Sequence, residues 1–158
     1  MRSETLHAIL PLAIVVGLAF SIFATAETFD PALRAACSIN PFLSCSRVDQ
    51  SGHTTTFGIP DFALGIAGFL VMFVLDVQVY RLGRGRWLDA LTGVSAVGFG
   101  LSVYFAWVEL GVIHALCLIC LGAYVANGVT LLAAVWLRRP STGLGRSAGA
   151  RPAPGEGS

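Results

Sequence analysis

Four cysteines are the residues of this 158-residue chain whose type and spacing best suit chemistry. Two of them form the C-x-x-C unit Cys117-Leu-Ile-Cys120, which has the spacing of redox-active dithiols. On a helix the two sulfurs would lie about 300° apart around the axis and about 4.5 Å apart along it, close enough to bridge. At a helix N-terminus the partial positive charge would also favour the reactive thiolate. The pair therefore predicts thiol–disulfide exchange.

A second pair, Cys37 and Cys45, lies in a segment rich in Ser, Pro and Asn (CSINPFLSC) that is long enough to close a disulfide and flexible enough to move. Two pairs suggest a relay, in which mixed disulfides carry electrons from a dithiol in water to an acceptor in lipid. Two structural disulfides are an alternative. A four-thiolate zinc site is a weaker one, because the loop cysteines are too far apart for a usual C-x₂₋₄-C unit. Leu121, not His, follows Cys120, which excludes c-type haem attachment, and we expect no metal.

The rest of the sequence is typical of a membrane protein. Hydrophobic residues make up 55% of the chain and charged residues 12%, and the mean hydropathy is +0.75. Four apolar runs, at 8–26, 62–80, 87–108 and 115–137, can each cross a hydrocarbon core of roughly 30 Å. The predicted fold is an all-α bundle of four transmembrane helices, with a membrane domain over 1–139 and a disordered cytoplasmic tail over 140–158. The triplet Ala24-Thr25-Ala26 leaves open that the first run is a cleaved signal peptide.

Arginine placement predicts how these helices are oriented. The chain has ten Arg and no Lys; if all four runs span, eight Arg lie on one side and only Arg34 and Arg47 on the other. Because basic residues are retained in the cytoplasm, both termini should be cytoplasmic and all four cysteines should face the oxidising, extracytoplasmic side. Glu109, in the short turn before the last span, is predicted to be solvated. No basic stretch is interleaved with aromatics, so nucleic acid is not an expected partner.

A polar stripe continues along the fourth run below the C-x-x-C pair. Cys117, Cys120, Tyr124 and Asn127 recur at intervals of 3, 4 and 3, which places them on one face of a helix running toward the middle of the membrane. A phenol and an amide beneath a thiol pair suit a carbonyl ligand such as a quinone. Bonding to neighbouring helices is the more common role of such residues.

Taken together, these motifs resemble the vitamin K epoxide reductase family, and most closely its bacterial members that regenerate periplasmic thiol oxidases. The resemblance covers roughly residues 8–137. It rests on the loop pair Cys37 and Cys45, Ser51 shortly after it, the segment Phe57-Gly58-Ile59-Pro60-Asp61 followed by Gly65, and Cys117-Leu-Ile-Cys120 with Tyr124.

The resemblance implies a four-helix bundle around a quinone of the menaquinone, ubiquinone or vitamin K type, capped by the extracytoplasmic loop. It implies that Cys120 contacts the quinone, that Cys117 exchanges with Cys45, and that Cys37 receives electrons from outside.

The resemblance also suggests which residues bind the quinone. Tyr124 corresponds to a hydrogen-bond donor to the ring, and Asn127 and Ser51 are further candidate contacts. Asp61 stands where vertebrate relatives have an Asn that bonds the quinone, so this position departs from the family pattern.

The function implied is that of a membrane thiol:quinone oxidoreductase that reoxidises an extracytoplasmic thioredoxin-fold thiol oxidase. The 19 residues after Arg139 are too few for a thioredoxin-like domain, so the partner should be a separate protein. The all-Arg basic set and the Ala- and Gly-rich spans fit a bacterial inner membrane. One alternative is a vitamin K epoxide or quinone reductase. Outside enzymes, the alternative is a disulfide-stapled tetraspan structural protein.

Overall fold

The computed structural model describes residues 3–51, 55–56, 58–83 and 85–138. Within that part of the chain there are six α-helices: α1 (Ser3–Phe29), α2 (Pro31–Cys37), α3 (Cys45–Asp49), α4 (Asp61–Leu82), α5 (Gly85–Val108) and α6 (Leu118–Arg138). Four of them, α1, α4, α5 and α6, are long and apolar enough to cross a membrane. The prediction of an all-α, four-transmembrane-helix fold is therefore confirmed.

The predicted runs compare with these helices as follows. The runs 8–26, 62–80 and 87–108 lie inside α1, α4 and α5, whereas the run 115–137 begins before the first residue of α6, Leu118. The predicted tail, 140–158, lies outside the described residues, and its disorder stays a prediction.

The outer surface of the bundle is apolar. Leu12, Val97 and Leu132, on three different helices, are 62%, 68% and 62% exposed. Side chains of this kind on every side of a helical bundle suit contact with lipid rather than with water. Small and polar residues such as Ser95 and Thr130 are buried instead, and the Thr130 hydroxyl donates to the Ala126 carbonyl at 2.9 Å.

The four long helices form a ring, because α1 and α5 each pack against both α4 and α6. Close approach depends on two glycines. Gly17 of α1 lies against the ring of Phe69 in α4, and Gly122 of α6 lies against the ring of Phe20 in α1. A side chain at either position would overlap the neighbouring ring, so these small residues set the spacing of the helices.

The segment between α1 and α4 folds over one end of this bundle. Asp30 caps α2 by accepting a hydrogen bond from the Ala32 N–H at 2.8 Å, and the Ser44 hydroxyl caps α3 in the same way. A two-residue antiparallel hairpin, β1 (Thr55–Thr56) and β2 (Ile59–Pro60), then leads directly into α4. At the opposite end of the bundle, Arg138 pairs with Asp89 at 2.8 Å.

Main-chain pairing joins this loop to the chain just before α6. Leu43 and Leu116 form a parallel β-bridge. The Leu116 N–H donates to the Phe42 carbonyl at 2.7 Å, and the Ser44 N–H donates to the Leu116 carbonyl at 3.1 Å. The bridge holds the part of the loop that carries Cys45 beside the start of α6.

Candidate active site

The four cysteines meet where the loop covers the bundle. Cys37 and Cys45 form a disulfide, whereas Cys117 and Cys120 are free thiols. The Cys117 Sγ lies 3.5 Å from the Cys45 Sγ, although the two residues are 72 positions apart in sequence. Cys37, Cys45 and Cys117 are buried in one apolar cluster. A thiol is thus in contact with a disulfide, which is the arrangement that thiol–disulfide exchange requires.

The sequence suggested that Cys117 lies within the last helix. In the structure it lies at the N-cap of α6. Its carbonyl accepts from the Leu121 N–H at 2.9 Å, and its Sγ accepts from the Cys120 N–H at 3.2 Å. A side-chain acceptor at the N-cap satisfies one of the free N–H groups of the first turn, which explains why the helix starts one residue after Cys117. The Cys117 sulfur therefore sits against the positive end of the helix.

Beneath the sulfurs lies a cavity of ≈ 190 Å³ between the four long helices. Its walls are mainly apolar and include the rings of Phe20, Phe62 and Phe105. Of the eight residues that the sequence nominated, six line this cavity: Cys45, Asp61, Cys117, Cys120, Tyr124 and Asn127. The stripe from Cys117 to Asn127 thus forms one wall of the cavity.

The other two nominated residues do not line the cavity. Cys37 is held behind Cys45 by their disulfide. Ser51 donates to the Val48 carbonyl at 2.7 Å and borders a separate depression with Arg47, Gln50, Val112 and Ile113. The structure therefore does not bring Ser51 together with the other candidate quinone contacts.

Asn127 carries an unpaired polar atom in the cavity wall. Its side chain is 4% exposed, and its Nδ2 donates to the Ser102 Oγ at 3.5 Å. Among the described residues, the Asn127 Oδ1 has no hydrogen-bond partner. A buried carbonyl oxygen without a partner is costly, so this atom suits a ligand that carries a hydroxyl or N–H group.

The prediction that Glu109 is solvated is wrong. Glu109 is 3% exposed, because α5 continues into a π-helical turn, Glu109–Ile113, before His114 ends it in the left-handed region at φ 56°. Its Oε1 accepts from the Tyr124 hydroxyl at 2.8 Å, and its Oε2 accepts from the Cys117 N–H at 3.0 Å. The π-helical turn changes the helix face on which the Glu109 side chain lies. The periodicity of apolar residues in the sequence does not reveal such a turn.

A second buried acid, Glu27, was also missed by the sequence reasoning. It lies in α1, and a carboxylate oxygen and the sulfurs of Cys37, Cys45 and Cys117 all lie within 4.8 Å of one another. Such a group could hold a metal only if all three sulfurs were thiolates. Cys37 and Cys45 share a disulfide, so the arrangement seen here supports sulfur exchange instead.

A disulfide touching a free thiol, above a cavity enclosed by four membrane helices, defines an integral membrane thiol–disulfide oxidoreductase. Comparison with known proteins specifies the class further. The model of the vitamin K epoxide reductase family matches residues 8–135, and the chain belongs to that family.

Two relatives are similar over most of their length. Vitamin K epoxide reductase complex subunit 1 of Mus musculus is 32% identical over an alignment of 133 residues that covers 75% of this chain and 82% of the relative. The protein of the same name from Rattus norvegicus is 31% identical over an alignment of 131 residues that covers 75% of this chain and 81% of the relative. Family members are thiol-dependent oxidoreductases that act on a quinone or its epoxide, so this chain is an enzyme of that kind and not a structural tetraspan protein.

Proposed function

We propose that this enzyme reoxidises a separate extracytoplasmic thioredoxin-fold protein and passes the electrons to a membrane quinone, so that the partner can form disulfides in other proteins. The observation that carries the proposal is the 3.5 Å contact between the Cys45 and Cys117 sulfurs. It links a loop pair that can meet a soluble protein to a pair that lines a cavity inside the membrane bundle.

The proposed exchange begins at the loop disulfide. A partner thiolate attacks the Cys37 sulfur and releases Cys45; the partner's second thiol then completes the partner disulfide and frees Cys37. Cys45 attacks Cys117 in a Cys117–Cys120 disulfide and releases Cys120. Cys37 finally attacks Cys45, which restores the loop disulfide and releases Cys117. Two electrons have moved from the partner to the inner pair.

The redox state of the four cysteines supports this sequence of steps. An oxidised loop pair beside two inner thiols is the product of the exchange, ready for reoxidation of the inner pair. A quinone, when bound, supplies the two-electron, two-proton acceptor for these thiols. Half-buried Cys120 lines the cavity and is the thiol expected to face the ligand.

The cavity fits the ring of a quinone in size and in polarity. Engineered cavities of about 150 Å³ admit benzene, and this one has ≈ 190 Å³. The Asn127 Oδ1, which has no partner among the described residues, can accept a hydrogen bond from a reduced, hydroxyl-bearing ring. Tyr124 and Asp61 supply further polar contacts in the same wall. The ring could be of the menaquinone, ubiquinone or vitamin K type.

A second candidate function is reduction of vitamin K epoxide or quinone, with the reduced ring as the useful product. The name of the mouse and rat relatives favours it. The same four cysteines would act, and electrons would move in the same direction. Turnover of an added quinone epoxide by the purified enzyme distinguishes this function from simple reoxidation of a partner.

We expect Cys37→Ser and Cys120→Ser variants to accumulate a Cys45–Cys117 disulfide, because each lacks the thiol that would resolve it. Non-reducing gels and mass spectrometry of proteolytic fragments from purified protein, with and without added quinone, provide the measurement. Cys45→Ser is the matched control and should form no such bridge. Only Cys37–Cys45 and Cys117–Cys120 bridges in every variant, unaffected by a reduced dithiol or a quinone, would contradict the relay.

A further inference from the structure

Glu109 is a buried carboxylate that bonds both to the dithiol end of α6 and to a candidate quinone contact. Its Oε2 accepts from the Cys117 N–H at 3.0 Å, and its Oε1 accepts from the Tyr124 hydroxyl at 2.8 Å. Both oxygens are thus engaged, and the side chain is 3% exposed. Glu109, Cys117, Cys120 and Tyr124 all line the same cavity.

The backbone holds this carboxylate in place. Glu109 opens the π-helical turn, and its carbonyl accepts hydrogen bonds from the N–H groups of His114 and Ala115, the latter at 3.1 Å. A π-helical turn interrupts the regular hydrogen-bond pattern of an α-helix and often occurs at functional sites. Here it turns an acidic side chain inward, between the main chain of Cys117 and the Tyr124 phenol, in the cavity that Cys117 and Cys120 also line.

Oxidation of the inner pair has a proton requirement that this arrangement meets. When Cys117 and Cys120 form a disulfide, two electrons and two protons leave the thiols and are taken up by the two oxygens of a quinone. The walls of the cavity are mainly apolar, so its few polar side chains are the groups placed to carry protons between sulfur and ring. A carboxylate can accept a thiol proton, and a phenol can pass one on.

We propose that Glu109 is a proton-relay residue, which takes one thiol proton from the Cys117/Cys120 pair and returns it through the Tyr124 hydroxyl to a quinone oxygen. The second proton goes to the other quinone oxygen from the remaining thiol. After one cycle Glu109 is again a carboxylate that accepts from Tyr124. The inference rests on the proposed function only for the quinone that finally accepts the proton. The role of Glu109 in accepting a proton from the thiols does not depend on the proposed function.

The first test needs no quinone. In protein reduced with dithiothreitol, the initial rate of Cys120 labelling by N-ethylmaleimide is measured at one pH for wild type, Glu109→Gln and Glu109→Asp. If Glu109 accepts the thiol proton, Glu109→Gln should label at least about tenfold more slowly. Glu109→Asp, which keeps the acid on a shorter chain, should recover part of the rate. Unchanged or faster labelling of Glu109→Gln would overturn the proposal, because loss of a negative charge alone favours the thiolate.

The second test follows reduction of a short-chain quinone by the prereduced enzyme in a single turnover. Glu109→Gln should lose about 100-fold or more in rate with an unchanged dependence on quinone concentration, since Gln keeps the shape, can accept from the Cys117 N–H and donate to the Tyr124 hydroxyl, but cannot carry the proton. The double variant Glu109→Gln/Tyr124→Phe should be no slower than the slower single variant, because both residues act in one path. A wild-type rate in Glu109→Gln, or equal losses in the Gln and Asp variants with lowered thermal stability in both, would overturn the relay.

The two tests separate the two proposals. A wild-type protein that reduces no quinone would contradict the proposed function, whatever Glu109 does in the labelling experiment. Normal quinone reduction by wild type and by Glu109→Gln would contradict only the relay.

Discussion

The Tyr124 hydroxyl carries a hydrogen that points to Glu109 in the state described, at 2.8 Å between the two oxygens. Tyr124→Phe removes this donor and leaves a buried carboxylate oxygen with one bond fewer. Tyr124→Phe also removes the hydrogen bond that the hydroxyl would donate to a bound quinone; loss of a buried donor to a ligand costs about 1 to 3 kcal/mol, so we expect quinone reduction to fall roughly 5- to 150-fold. Exchange between the two cysteine pairs should be intact, which alkylation of thiols after addition of a reduced dithiol can measure. A variant slowed equally in both steps would place Tyr124 outside the ligand contacts.

Asp61 offers a second prediction at the scale of single residues. It begins α4 and lines the cavity with Tyr124. If its role is to donate a hydrogen bond, an amide can replace it. We therefore expect Asp61→Asn to retain most of the quinone reduction rate and Asp61→Ala to lose roughly 5- to 150-fold of it. Equal damage in both variants would show that the carboxylate itself is required, and full activity in both would remove Asp61 from the site.

At the scale of elements, the contact between α1 and α4 depends on a missing side chain. Gly17 faces the ring of Phe69, and an added Cβ would overlap that ring. We expect Gly17→Ala to lower the stability of the bundle by about 1 to 3 kcal/mol, because overpacking forces the two helices apart. Thermal unfolding in detergent provides the measurement. Gly93→Ala is the matched control, since a Cβ at Gly93 meets nothing within 4 Å; a loss there equal to that of Gly17→Ala would contradict the packing argument.

The sequence predicts the elements better than it predicts their ends. Apolar runs indicate the four long helices because a membrane-spanning helix must be apolar along its whole length. The same signal is silent about where α6 starts, since that point is decided by the Cys117 cap, and about the π-helical turn that follows α5, since that turn depends on local hydrogen bonds. The stripe of Tyr124 and Asn127 was predictable from helical periodicity. The inward position of Glu109 was not, because it arises from a break in that periodicity.

Orientation belongs to the scale of the whole molecule. From the arginine distribution we propose that both termini are cytoplasmic and that the cysteine loop is extracytoplasmic. We expect reporter proteins fused after Arg84 and after Arg139 to be active in the cytoplasm, and a reporter inserted near Gln50 to be active on the other side. An extracytoplasmic reporter after Arg139 would contradict this orientation. It would also contradict the proposal that the loop disulfide meets an extracytoplasmic partner.

The contact between the Cys45 and Cys117 sulfurs has a consequence for biogenesis. The loop that carries Cys45 follows α1, whereas Cys117 precedes α6, and the two are held together by the pairing of Leu43 with Leu116 and by a shared apolar cluster. Since α6 is the last of the four long helices along the described chain, a chain in which α6 has not yet packed lacks the contact between the two sulfurs. Exchange between the two cysteine pairs is thus conditional on completed assembly of the bundle.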